Sequence, residues 1–296
     1  VRRLLFFVFV LASCHKGPES GVKIDSSFTA FIPPDSIAIA GVQLDQWKTT
    51  DFYKRHQDQF NLPQISAFSE RIGLDPRRDL TEILITWNGK HVLTMASGTF
   101  KSEDVQQKLT KLAPQQETYK NIPLFGDKKQ SAAFLPHSIA LAGPNDAVKQ
   151  AIDGGGSVPP AIQSRLQNVL TGAQIWEAST GPLPLNAIPM GSGLQSGLAN
   201  FSDYVNGTTL GIKFDAGVHL RADISCISAE GAQRVNDALR GLIGFARLST
   251  KDNDQDMLHL LDAIHVEKTD QSVRIQADLS AGLADRLLSL IGRTRK

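Results

Sequence analysis

Eight residues near the middle of the chain, Asp153 to Pro160 (DGGGSVPP), set the strongest limit on what it can fold into. Three glycines and two prolines in so short a run sustain neither a helix nor a strand, so the stretch predicts a linker. It divides the sequence into lengths of similar size that read in one order: strand, helix, hairpin, helix, two strands, helix. The middle units correspond locally, Gly98 to Val105 (GTFKSEDV) against Ser225 to Ala232 (SCISAEGA). Each has an apolar strand end, a serine and the start of an amphipathic helix. The repeat is domain-sized, roughly 130 residues, far above solenoid periods. The same order also fits two unrelated α+β domains.

Periodicity supplies the elements. Ser36 to Leu44 reads as a dense apolar strand entered through Pro33-Pro34-Asp35. Thr50 is placed to cap a helix with Phe52, His56 and Phe60 on one face. Ile83, Ile85 and Trp87 alternate before Asn88-Gly89, a pair that predicts a type I′ hairpin turn. Ser102 and Asn145 are read as helix caps, and Thr118–Phe125 and Ser131–Ala142 as two strands, the second broken at Pro136. In the second half, Leu194, Leu198, Phe201 and Val205 are spaced as a helix face closed by Asn206-Gly207. Val273, Ile275, Ala277 and Leu279 alternate with Arg274, Gln276 and Asp278, the signature of a sheet covered on one side. The expected class is α+β: two similar halves, each a mainly antiparallel sheet with helices packed on one face, related by internal duplication. Their expected bounds are 30–153 and 161–296, with 154–160 as linker.

The amino-terminal stretch VRRLLFFVFVLASC carries a different message. Arg2 and Arg3 precede nine apolar residues, Leu4 to Ala12. Nine helical residues reach about 13–14 Å, short of the ~30 Å hydrocarbon core. The run therefore reads as a signal-peptide core over residues 1–13 and not as a span. Leu11-Ala12-Ser13-Cys14 resembles the lipobox of bacterial lipoproteins. That resemblance implies a diacylglyceryl group on the Cys14 thiol, cleavage before Cys14, and membrane attachment through lipid. His15 stands where an Asp would favour inner-membrane retention, which leans towards the outer membrane, with the body facing the periplasm. Residues 14–29 are polar and aperiodic, a tether. Pro33-Pro34-Asp35-Ser36 loosely resembles a segment of uncharacterised exported bacterial proteins, and that likeness carries no activity.

Composition excludes some functions and leaves others open. The formal charge is +1, and loss of Arg2 and Arg3 takes it to −1, with no basic cluster to hold nucleic acid. With Cys14 lipidated, Cys226 has no disulfide partner, and its place on an apolar strand face predicts a buried, inert thiol. His15, His56, His91, His137, His219, His259 and His265 are scattered without metal-ligand spacing. Asp252, Asp254 and Asp256 begin like a calcium loop, but Met257 and Ala263 stand where it needs Gly and Glu. Gly191-Ser192-Gly193 with Gly197 follows no strand and has the wrong third spacing for a dinucleotide loop. Trp47, Trp87 and Trp176 are candidates for a carbohydrate or lipid groove, with core packing the plainer reading of Trp47 and Trp176. No catalytic, cofactor or metal residue is nominated. The expectation is a lipid-anchored envelope protein that binds a protein or small ligand without catalysis. The alternatives are an envelope hydrolase with a site in the cleft between halves, and a structural assembly subunit.

Overall fold

The computed structural model describes residues 21–60, 63–112, 116–181, 201–251 and 253–293. The signal stretch, Cys14, His15, Leu194, Leu198, the glycines at 191–197 and Asp252 lie outside the described residues. The first half runs α1 (Ser26–Thr29), β1 (Ala38–Gln43), α2 (Leu44–Thr49), α3 (Asp51–His56), α4 (Pro63–Ile72), α5 (Pro76–Asp79), β2 (Leu80–Trp87), β3 (Val92–Gly98), α6 (Ser102–Leu112), β4 (Gln116–Tyr119), β5 (Ile122–Gly126), β6 (Gln130–Leu135), β7 (Ile139–Pro144) and α7 (Asn145–Asp153). The second runs α8 (Pro160–Leu166), β8 (Ile175–Ser179), β9 (Val205–Phe214), β10 (Gly217–Cys226), α9 (Ala229–Ser249), α10 (Gln255–Asp262), β11 (Ile264–Thr269), β12 (Ser272–Ser280) and α11 (Ala281–Arg293).

The fold is α+β, and the two half-sheets join edge to edge. Their strands form one twelve-stranded antiparallel sheet in the order β11-β12-β10-β9-β8-β1-β2-β3-β7-β6-β5-β4. The seam is β1 against β8, registered Ala38 to Ser179 and Val42 to Ile175. Outward from the seam each half repeats one topology: a first strand, a hairpin, then the last strand of the half against the far strand of that hairpin. At the seam Trp176 packs against Gly41, where a Cβ would come within 2.3 Å of the indole, so only glycine fits.

Several local expectations change. Asn88 and His91 close the β2–β3 turn, and only Gly89 within it has positive φ, at 88°. A type I′ turn needs two such residues. That requirement is met instead at Lys120 (φ 46°) and Asn121 (φ 64°), between β4 and β5. The two strands expected over 118–142 are four, because Lys120-Asn121 and the Pro136–Ser138 turn each reverse the chain. Val205 opens β9 and pairs with Cys226, so Asn206-Gly207 lies in a strand and closes no helix. β-Branched Val205, Thr208 and Thr209 favour that outcome. Ser102 donates its hydroxyl to the Leu135 carbonyl at 2.5 Å, and Asn145 donates to the Asp127 carbonyl, so neither acts as a side-chain cap. Thr50 and Ser228 do cap, accepting from Tyr53 and Gly231.

The helix layers differ between the halves. One sheet face carries Leu84, Met95, Leu141 and Trp176 under α1, α7 and α8. The opposite face of the first half carries Ala96, Phe125 and Phe134 under α4 and α6. Helices therefore cover both faces there, because β2, β5 and β6 are apolar on both sides. In the second half α9, α10 and α11 share one face, over Phe214, Leu279, Cys226 and Val273. The other face of β9–β12 shows Lys213, His219, Arg221, Asp223, Arg274 and Asp278 in adjoining register.

Candidate functional site

The helix-covered face of the second half holds a cavity of about 580 Å³. Its floor is Ile212, Phe214, Val218, Leu220, Ile264, Ile275, Ala277 and Leu279 from β9–β12, and its seam-side wall is Ile175. Trp47 of α2 and Phe52 of α3 close one side, Leu260 of α10 another, and Ala284, Leu287 and Leu288 of α11 form the roof. Every one of these lining residues is apolar. Phe52 and Phe214 stack at 5.1 Å between centroids, and Trp47 lies 6.0 Å from Phe214. Ala277 and Ala284 face the space with side chains too short to fill it.

Ion pairs hold the roof. His56 Nε2 lies 2.7 Å and Arg55 Nη2 3.2 Å from Asp285 Oδ1, tying α3 to α11. Arg286 Nε lies 3.2 Å from Asp256 Oδ2, tying α10 to α11. Burial works to raise the Asp285 pKa, but the hydrogen bonds from His56 and Arg55 outweigh it and hold the carboxyl below its usual range. The clasp lies at the edge of an apolar chamber.

The space is half open to solvent, and its lining offers no polar groups to hold ordered water. The volume lies within the ~300–1,000 Å³ range of small-molecule pockets. The space is thus suited to an apolar occupant.

Of the singled-out residues, Trp47 lines the chamber and His56 and Asp256 pair at its edge. Trp176 is in the core on the far face at 1% exposure, and Trp87 ends β2 at the opposite end of the sheet. Cys226 is buried, and burial raises its thiol pKa, as its strand position led one to expect. Asp254 caps α10 through Met257, and Asp256 pairs with Arg286. His219 sits between Asp278 and Asp215, at 2.6 and 2.9 Å. Among the described residues no group of three histidine, cysteine or acidic side chains is arranged to hold a metal.

No family model and no curated protein matches the chain. Solved structures do. Crystal form III of TP0453 aligns with a TM-score of 0.51 at 8% identity, over 92% of this chain and 99% of that one. Crystal forms I and IV of the same protein give 0.48 and 0.47 at 8% and 7% identity, over 92% and 87% of this chain and 98% and 93% of theirs. At this identity the likeness speaks to the fold alone.

Sequence reasoning missed two buried carboxylates as well as the cavity. Burial pushes Glu177 up to about 7, against hydrogen bonds from Thr208 and Ser179 and the charge of Arg165. Burial and then the charge of Asp25 push Glu82 up to about 7, with Gln43 Nε2 donating to it at 2.8 Å. The strand registers set them on opposite faces, since Glu82 lies opposite Gln43 and Glu177 opposite Ala40. They do not share one site. The signal for the cavity was in plain view: apolar alternation along β10 and β12 meets a carboxy-terminal helix with alanine at its contact position.

Proposed function

We propose that this chain is a bacterial lipoprotein, held on an envelope membrane by acyl groups on Cys14, whose body binds an apolar small molecule without transforming it. The acyl chain of a lipid fits the chemistry of the chamber. The observation that carries the binding role is the all-apolar lining of a 580 Å³ space. The lipobox-like Leu11–Cys14 supports the attachment. The outer membrane, with the body on its periplasmic side, is the favoured location. The test is organic extraction and mass spectrometry of protein purified from membranes, beside titration with the apolar dye N-phenylnaphthylamine. Co-purifying acyl lipid that the dye displaces supports the reading. An empty chamber that takes up no dye refutes it.

A further inference from the structure

The strand registers form a continuous row Val42–Ile175–Ile212–Leu220–Ala277–Ile264 near one end of the sheet. The tether enters past this row. Gly21 N–H donates to Thr171 Oγ1 and Val22 N–H to the Leu166 carbonyl, both ahead of β8. α9 arrives at the same end. It starts beyond Cys226 at the opposite end, and Arg240 donates to the Val266 carbonyl, two residues inside the row. Nine residues of helix follow, about 13 Å at 1.5 Å each. This stretch carries Phe245 and Leu248, 70% and 89% exposed. Gly241 and Gly244 lie on the same face, and a Cβ at either would meet only open space. The positions 241, 244, 245 and 248 make one helical stripe that is left uncovered among the described residues.

We propose that this end of α9 docks on the surface of the bilayer that carries the lipidated Cys14, so that the body stands with the row end towards the membrane. The proposal rests on lipid attachment at Cys14. Six residues separate Cys14 from Gly21, seven Cα–Cα steps that span at most ~25 Å of chain. A surface held that close needs little affinity of its own, because the tether raises its effective concentration to the millimolar range. A few apolar side chains entering the headgroup boundary then suffice. The glycines leave the helix backbone free to lie near the interface.

The experiment uses full-length protein processed in a bacterial host and reconstituted in phosphatidylethanolamine–phosphatidylglycerol vesicles. A nitrobenzoxadiazole label is placed at Leu248→Cys, or at Lys90→Cys in the β2–β3 turn at the far end. Both positions are exposed, and Cys226 is buried. Docking predicts blue-shifted emission at 248, quenching there by nitroxide-bearing lipid, and a water-like signal at 90. Equal, water-like signals at both sites overturn it. So does a shift at 248 without vesicles that grows with protein concentration, which reports a second copy on the stripe. Intact mass of the same samples separates the two claims. Lipid mass on Cys14 with a wet 248 sinks docking alone. A quenched 248 without lipid mass refutes the anchor, and with it docking that depends on the tether.

Discussion

Replacing Ala284 by Leu tests whether the chamber is space or tightly packed core. Ala284 is 3% exposed and faces the cavity from α11. In a well-packed core, an extra three carbons cost roughly 1–3 kcal/mol through strain. In a real void the same carbons gain about 0.8 kcal/mol each, ~2.4 kcal/mol in all. Ordering the leucine side chain takes back about 0.5–1 kcal/mol. Leu and Ala have similar helix propensities, so the backbone term is small. The expected result is a net gain of about 1.5–2 kcal/mol in delipidated protein, read by urea unfolding at unchanged m-value. The same variant loses the ligand's contribution to stability, which follows RT ln(1 + [L]/Kd). Destabilisation by 1 kcal/mol or more, with dye uptake unaltered, refutes the cavity argument.

Three further outcomes follow from the geometry. Glu177 has a folded pKa raised from 4.5 to about 7, so its ionisation is resisted in the fold, and stability falls as pH climbs through that window. Glu177→Gln should remove up to about 3 kcal/mol of this pH dependence between pH 4 and pH 8, checked by urea midpoints at both. The hydrogen bond to Asp278, and then that to Asp215, raise the His219 pKa over the effect of burial. Its stabilisation is therefore full below its unfolded value and lost as pH rises through the folded one, so His219→Gln should cost more at pH 5.5 than at pH 8.5 in thermal melts. Asp285→Asn weakens the α3–α11 clasp; because the pair is partly solvated the stability loss should stay near 0.5–1 kcal/mol, while dye association measured by stopped flow becomes faster.

The fold class was legible because alternation is a local signal. Val273 to Leu279 announced a half-covered strand, and Thr50 and Ser228 sit where caps belong. What escaped was non-local. Nothing near Ala38 or Ser179 says that they pair across 141 residues, so the halves read as separate sheets. Asn88-Gly89 and Lys120-Asn121 show a related limit. The first pair has the favoured composition, yet the four-residue closure by Asn88 and His91 puts glycine alone at positive φ. Glu82 and Glu177 escaped notice because burial is decided by which strand lies alongside.

The cavity follows from a break in the repeat. Each half ends in a helix leaving the strand that closes its hairpin. α7 folds onto the face of Ile139 and Leu141, burying Ala147, Val148 and Ala151. The equivalent face of the second half carries His219, Arg221, Asp223, Arg274 and Asp278, and a helix laid there would strip water from charges it could not pair. α11 is driven to the other face, where α9 and α10 already lie and α3 reaches across the seam. These helices share a floor of five strands, β8 to β12, and do not tile it. α9 packs Ala232 and Val235 against Cys226 and Val273, then runs on past Val266 with Phe245 and Leu248 uncovered. α11 roofs the remaining floor at a distance that Ala277 and Ala284 cannot span. One exchange of helix side thus accounts for both the chamber and the exposed stripe. By this argument an apolar pair on the charged face, Arg221→Leu with Arg274→Val, frees α11 to take the side that α7 takes in the first half, and uptake of the apolar dye falls as the chamber loses its roof.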